Sequence, residues 1–356
     1  MTTETPAGIK YDEVSRFLAA NVPGGDVPLT FSQISGGRSN ITYLAEGGGQ
    51  KWVLRRPPLG HVLPTAHDMA REFKVLTGLH GTNVPAPTPI ALCEDPAVND
   101  YPFYVMDYRE GVILDGGELP AGYADTPEKR RAISLALVDG MVKLHAVDYN
   151  AVGLGDFGRP QGYLERQVRR WSEQWERSKT SELPGIDECI KRLRHALPES
   201  PAPTIVHGDY RLGNMMLAKD DPGKISAILD WEMCTLGDPL SDVGYTFVYW
   251  GDPGDPEDRL IARPHARLTQ QEGFLTRDEL AAEYSKRSGR SVDHIDYYMV
   301  LANYKLAVIT EGIYARYLKG QTLGEGFDKM GRSAETLVNL ALSIADKSSD
   351  PKLRGE

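Results

Sequence analysis

His207-Gly208-Asp209-Tyr210-Arg211-Leu212-Gly213-Asn214 is followed, one short hairpin later, by Ile228-Leu229-Asp230-Trp231-Glu232. Asn214–Leu217 and Ile225–Leu229 are β-type runs joined by Asp220-Asp221-Pro222-Gly223, whose residues favour a turn. Asp209, Asn214 and Asp230, three side chains suited to holding a metal or a proton, are thereby brought onto one loop–hairpin unit. The chain around them has 356 residues, 41% of them hydrophobic, which suits about two globular domains of ordinary size. No apolar run approaches the ~18 residues of a membrane span, and the N-terminus lacks a basic-then-apolar leader, so a cytoplasmic protein without membrane insertion is expected. Cys93, Cys189 and Cys234 stand far apart, which argues against a disulfide framework or a structural zinc site. A net charge of −10 and a pI near 5.4 argue against a nucleic-acid partner.

Phosphoryl transfer needs a carboxylate to orient the attacking hydroxyl and accept its proton, and oxygen ligands to hold Mg²⁺ on the phosphates. Asp209 fits the first role, and Asn214 and Asp230 fit the second. The step from Asp209 to Asn214 matches H-R-D-x-x-x-x-N, and Asp230 falls where the Asp of D-F-G would be. Together with Gly237-Asp238-Pro239-Leu240-Ser241-Asp242-Val243-Gly244, these motifs resemble the aminoglycoside phosphotransferase family of small-molecule kinases over roughly residues 30–330. The resemblance implies an α+β, bilobal protein-kinase-like fold that uses ATP and Mg²⁺. It divides the chain into an N-terminal lobe (1–107), a hinge (108–112) and a helical C-terminal lobe (113–356). It also implies that Asp242 stiffens the catalytic loop and Asp238 helps to start the next helix, while His207 orients the loop.

The N-terminal third can be examined for the parts such a kinase needs. A helix around Tyr11–Ala20 precedes strands at Leu29–Ile34, Ile41–Ala45 and Lys51–Arg55. In the last strand, alternation puts Val53 and Arg55 on one face, making Arg55 the candidate phosphate-binding cation in place of the usual Lys; Arg56 lies on the other face. Glu72, beside the apolar stripe Met69, Phe73 and Leu76, is its candidate partner, the alternative being a surface Glu paired to Arg71 or Lys74. Gly36, Gly37, Ser39 and Asn40, between the first two strands, are expected to cover ATP phosphates with backbone N–H groups. Tyr101–Asp107 is a strand leading into the hinge. There the resemblance implies that Met106 backs the adenine pocket while backbone groups of Asp107 and Arg109 bind the base.

From about Leu135 the pattern is mainly helical, at 131–147, 161–178, 186–197, 239–250, 277–287, 292–319 and 332–347. His145 in the first of these reads as a satisfied core histidine. Gly153–Gly158 matches G-x-G-x-x-G, but no strand precedes it, so the dinucleotide-binding context is missing. No P-loop, G-x-S-x-G or H-E-x-x-H pattern occurs.

The acceptor is read from local charge. Residues 162–179 hold five cations, among them Arg166 and Arg170, against three acids; residues 300–320 hold Lys305, Arg316 and Lys319 against Glu311. Both stretches are basic within an acidic chain, which favours an acceptor bearing carboxylate or phosphate. YLERQVRRW, EGIYARYLKGQ and VLRRPP also resemble the branch containing the kinase domain attached to certain acyl-CoA dehydrogenases. That likeness implies phosphorylation of a hydroxyacyl-CoA or similar anion, with a possible link to an acyl-CoA dehydrogenase. The alternatives are a kinase for an aminoglycoside, choline or homoserine-type alcohol, and a non-catalytic nucleotide-binding module, which would be expected to have lost Asp209 or a metal ligand.

Overall fold

The computed structural model describes residues 5–34, 40–59, 67–320, 327 and 330–356. Helix α1 (Tyr11–Asn21) precedes an antiparallel meander of β1 (Thr30–Gln33), β2 (Ile41–Gly47) and β3 (Gln50–Arg56). Gly48 and Gly49, both at positive φ, close the β2–β3 turn as a two-residue hairpin demands. Helix α2 (Met69–Leu79) follows, N-capped by Asp68, whose carboxylate accepts from the Arg71 amide. Then come β4 (Pro89–Cys93), the short α3 (Pro96–Asn99) and β5 (Phe103–Asp107), giving a five-stranded sheet in the order β1-β2-β3-β5-β4.

The pleat of this sheet sorts its side chains. Trp52 and Leu54 join Phe103 and Val105 under α1, whereas Val53, Tyr104 and Met106 face α2 and enter the main core. Strand β4 was not expected, because Pro85, Pro87 and Pro89 make its approach read as loop. It occupies the sheet edge, where a proline's missing donor costs no ladder bond.

After the sheet, β6 (Val112–Ile113) leads into α4 (Pro127–His145), α5 (Tyr163–Ser178) and α6 (Ile186–His195). β7 (Thr204–Val206), β8 (Met215–Leu217), β9 (Ile225–Ile228) and β10 (Thr235–Gly237) then make two small sheets, β6-β8-β9 and β10-β7. The chain ends in α7 (Leu240–Tyr249), α8 (Glu257–Ala262), α9 (Arg277–Ser288), α10 (Ile295–Leu318), α11 (Met330–Lys347) and α12 (Pro351–Arg354). The expected hairpin is β8–β9, and the expected helices are present with ends shifted by a few residues. The short β6, β7, β10, α3, α8 and α12 carry too few residues for a periodic signal.

Helix α10 is apolar nearly all round and packs against α5, α7 and α11. A helix with that pattern belongs inside the protein, so any charge on it is conspicuous. Between Asp296 and Glu311 it carries one, Lys305.

Candidate active site

The loop after β7 is held from beneath by one buried carboxylate. Asp242, near the start of α7, accepts the His207 amide at 2.7 Å on Oδ2 and the Gly208 amide at 2.8 Å on Oδ1. His145 Nε2 meets the same carboxylate at 3.2 Å, and its Nδ1 lies 2.9 Å from the Tyr284 hydroxyl. Burial alone would raise the Asp242 pKa, but His145, His207 and the Gly208 amide hold it below the usual range. The His207 ring links Leu229 O to Nε2 at 2.9 Å and receives the Asp209 amide on Nδ1 at 3.3 Å, which fixes the proton on Nε2. Gly208 has φ +83°, and a Cβ there would lie 2.6 Å from Met233 O, so only glycine fits between His207 and Asp209. Asp238 accepts from Leu240 N at 3.0 Å and from the Tyr298 hydroxyl at 2.7 Å, tying the start of α7 to α10.

Asp209 is presented at the top of this scaffold. Its Oδ2 accepts from Asn214 Nδ2 at 2.6 Å, and Arg211 Nε lies 3.4 Å from its Oδ1. Arg211 also donates to Asp115 at 2.9 Å. The Leu229 amide donates to Asn214 O at 2.8 Å, and Met215 pairs with Ile228, so β8–β9 carries Asn214 and Asp230 side by side. Asp230 has φ +65°, a left-handed conformation that costs a non-glycine residue about 1 kcal/mol or more.

The facing sheet contributes the cation. Arg55 on β3 ion-pairs with Glu72 at 2.9 Å through Nε and with Asp230 at 2.6 Å through Nη2, with Glu232 3.9 Å away. Glu72 is 2% exposed and also accepts from Asn40 Nδ2 at 2.9 Å and from the Tyr104 hydroxyl at 3.0 Å. Burial raises the Glu72 pKa, opposed by Arg55 and Tyr104; burial would lower that of Arg55, but the surrounding acids raise it. Arg71 donates to Phe157 O and Cys234 O, and Lys74 pairs with Asp156, so neither is the partner of Glu72. Arg56 points to the other face, where it is buried and donates to Gly8 O.

The remaining expected residues are placed as follows. Gly36, Gly37 and Ser39 lie outside the described residues. Asn40, whose backbone N–H is expected to help cover phosphates, is 1% exposed, and its side chain donates to Glu72 and Glu232 through Nδ2 while its Oδ1 meets His67 Nδ1 at 2.7 Å. The Asp107 amide is spent on Thr88 O, so only its carbonyl can serve a base; its side chain holds the Thr88 amide and Arg109. Met106 is buried in the core beneath the sheet. The G-x-G-x-x-G run lies in turns between α4 and α5, and a Cβ at Gly158 would collide with Thr235 and Leu236.

Next to Asp209, a cleft of about 510 Å³ opens between α2, α5, α10 and the loop after β9, and Glu72 and Glu232, two of the carboxylates around Arg55, stand in its wall. Arg71, Arg159, Arg166, Arg169, Arg170 and Lys305 line it, with Asp68, Glu72, Glu173 and Glu232 among them. Arg166 is partly committed to the backbone carbonyls of Arg159 and Gln161. Lys305 donates to Gly208 O at 2.8 Å. Arg316 lies exposed eleven residues further along α10, roughly 16 Å away at helical rise, and does not line this cleft. Sequence reasoning passed over Arg211, two residues beyond Asp209 in the same motif, and Glu232, although both stand in the quoted stretches. It also missed Trp171 and Tyr245, whose proximity to Lys305 has no one-dimensional signal.

A metal can be tested against this geometry. Among the described residues no group of three or more His, Cys, Asp or Glu side chains forms a ready-made metal cage. The oxygen donors of Asn214 and Asp230 nevertheless suit Mg²⁺, which is typically held by one or two carboxylates together with substrate phosphates.

A sheet with a buried Arg–Glu pair facing a loop–hairpin of Asp, Asn and Asp defines a small-molecule kinase, and the chain belongs to the phosphotransferase enzyme family, whose model matches residues 30–280. Mouse acyl-CoA dehydrogenase family member 10 is 33% identical over 321 residues, covering 90% of this chain and 30% of its own length. Rat acyl-CoA dehydrogenase family member 11 is 31% identical, covering 98% of this chain and 45% of its own. The chain thus spans less than half of these relatives. A solved putative aminoglycoside phosphotransferase from Ralstonia eutropha superposes with TM-score 0.81 at 30% identity, covering 95% of this chain and 99% of its own. Choline kinase from Cryptosporidium parvum shares the kinase-like fold at TM-score 0.65 and 13% identity, covering 96% of this chain and 97% of its own. No helix among the described residues is long and apolar enough to cross a membrane.

Proposed function

We propose that this phosphotransferase moves the terminal phosphoryl group of ATP to a hydroxyl of an anionic acceptor, with a hydroxyacyl-CoA as the favoured class. The observation that carries the acceptor class is the cation-rich cleft beside Asp209. Six cations, Arg71, Arg159, Arg166, Arg169, Arg170 and Lys305, stand there against the four acids Asp68, Glu72, Glu173 and Glu232, a local positive excess within a chain of net charge −10. Such a surface attracts phosphate and carboxylate groups and repels a polycation. The likeness to the acyl-CoA dehydrogenase family members supports a CoA ester over other anions, and with it a functional link to an acyl-CoA dehydrogenase.

In this reading Asp209 aligns the acceptor hydroxyl for in-line attack and takes its proton, with Arg211 and Asn214 fixing the carboxylate. Arg55, held by Glu72, neutralises charge on the nucleotide phosphates, and the Asp107 carbonyl and Arg109 amide bind the base. Asn214 and Asp230 would hold Mg²⁺, which when bound screens the phosphate charge. Asp209, Asn214 and Asp230 are all present, which favours an enzyme over an inert nucleotide-binding module. An aminoglycoside, choline or homoserine kinase is the alternative, and a cationic acceptor would call for an excess of carboxylates where this cleft has an excess of cations.

The test is phosphoryl transfer from Mg-ATP to a 4-hydroxyacyl-CoA, with the free hydroxy acid, kanamycin and choline as comparison acceptors and Asp209→Asn as the blank. A phosphorylated acyl-CoA formed by the wild type and not by the variant is expected. Equal turnover of the free acid, or transfer to kanamycin alone, would overturn the acceptor assignment.

A further inference from the structure

Lys305 is placed as a bound cation would be. The cleft continues beside Gly208 into a small cavity walled by Tyr163, Trp171, Tyr245, Tyr298 and Leu301. The Lys305 ammonium lies over the Tyr245 ring at 4.5 Å and the Trp171 ring at 5.7 Å, and donates to Gly208 O at 2.8 Å. Aromatic faces around a cation are the usual means of recognising quaternary ammonium groups, and a cation within about 6 Å of a ring centroid is attracted by it. Here the box is filled by the chain's own side chain, projected from a helix that buries mostly apolar residues. A charge in such a place needs compensation, which the rings, Gly208 O and the nearby Asp209 supply. Burial pushes the Lys305 pKa down to about 8, opposed by Asp209 and Asp242 and assisted by Arg170.

We infer that Lys305 is a specificity-determining residue: its ammonium occupies an aromatic box beside the catalytic loop and so excludes ammonium-bearing acceptors while leaving the cleft cationic for anionic ones. The inference rests on reading this cleft as the acceptor site, and it makes a prediction of its own. Removing the side chain beyond Cβ would leave an open box of Trp171, Tyr245 and their neighbours, with Gly208 O exposed and Asp209 close by, all favourable to a small quaternary ammonium ion.

The experiment is a titration of wild type and Lys305→Ala with tetramethylammonium chloride, followed by calorimetry and by tryptophan fluorescence, with ionic strength held constant by sodium chloride. AMP-PNP binding and thermal unfolding check that each protein is folded. Lys305→Ala should bind tetramethylammonium at least about 30-fold more tightly than wild type, the equivalent of a desolvated cation–π contact of about 2 kcal/mol. Lys305→Arg should stay closed, and Trp171→Leu added to Lys305→Ala should abolish the gain. A folded Lys305→Ala that gains no affinity, or a wild type that already binds the ion equally well, would overturn the inference; Lys305→Ser, held to the same outcomes, substitutes if the alanine variant does not fold. Because tetramethylammonium is neither acceptor nor nucleotide, the result stands apart from the acceptor assay: absence of hydroxyacyl-CoA turnover would sink the proposed acceptor and leave the plugged box standing or falling on its own titration.

Discussion

Glu72→Gln is nearly isosteric, yet it should be poorly tolerated, for a reason visible in the contacts. The carboxylate satisfies donors on both oxygens: Asn40 Nδ2 on Oε1, and the Arg55 guanidinium with the Tyr104 hydroxyl on Oε2. An amide has one acceptor and one donor end. Whichever way it turns, an N–H group faces either Arg55 or Asn40, so one contact becomes donor against donor. The charge is lost as well, beside an Arg55 side chain only 12% exposed. Orphaning one member of a buried ion pair costs about 3–5 kcal/mol. Arg55 keeps Asp230 at 2.6 Å, so a smaller loss of about 2–3 kcal/mol is expected. At roughly 2 °C per kcal/mol for a chain of this size, Tm should fall by about 5 °C in a thermal melt without nucleotide. Arg55, released from Glu72, should bind Asp230 more closely and weaken Mg-nucleotide binding, measured by calorimetry. A cycle with Arg55→Met should show coupling of at least about 1 kcal/mol. A Gln variant within about 1 °C of wild type and with unchanged nucleotide affinity would refute the assignment of Glu72 as the buried anchor of Arg55.

Asp209→Asn should lower kcat by about 10²–10⁴-fold with nucleotide affinity nearly unchanged, since the proposed base acts chiefly in the transition state; full turnover in a phosphoryl-transfer assay would sink the role. Asp230→Ala should remove the Mg²⁺-dependent part of ADP binding measured by calorimetry, and metal-enhanced binding that persists would contradict the ligand assignment. Lys305, with its pKa lowered to about 8, should lend charge to the acceptor cleft below that pH and withdraw it above. KM for an anionic acceptor should therefore rise as pH climbs through about 8, and Lys305→Arg should flatten the rise; a KM flat in the wild type would refute it. The same depression makes charged Lys305 a stability cost below about pH 8 that is relieved toward its ordinary value of 10.5, because the unfolded chain holds the proton longer.

Much of this site could be read from the sequence because its parts are local. Asp209, Asn214 and Asp230 are tied by a hairpin whose register follows from turn chemistry and alternation, and the structure pairs Met215 with Ile228 accordingly. Arg55 was legible because the pleat sends it to the same face as Val53, away from Arg56. Features that depend on contacts distant in the chain were not legible. Asn40 reads as part of a glycine-rich turn, yet its amide reaches Glu72 and Glu232, 32 and 192 residues away. Strand β4 was hidden by prolines that only an edge position excuses. Arg316 followed from counting charge along α10, but helical rise carries it away from the cleft that Lys305 enters.

Charge of both signs is gathered beside Asp209. Among the described residues Glu72, Asp230 and Glu232 surround Arg55, an excess of negative charge that disfavours bare phosphates and favours a metal-bound nucleotide. In the proposed acceptor cleft, which Glu72 and Glu232 also line, Arg71, Arg159, the α5 arginines and Lys305 outnumber the acids by six to four. In the proposed reading, an anionic acceptor entering the cleft would be drawn toward Asp209 by these cations and held off Asp230 by the carboxylates around Arg55. Lys305 is hydrogen-bonded to the residue before Asp209 and backed by two aromatic rings. Lys305 is thus anchored to the loop that carries the proposed base, so exchanging this one side chain tests the proposed acceptor choice without removing any group assigned to the transfer itself.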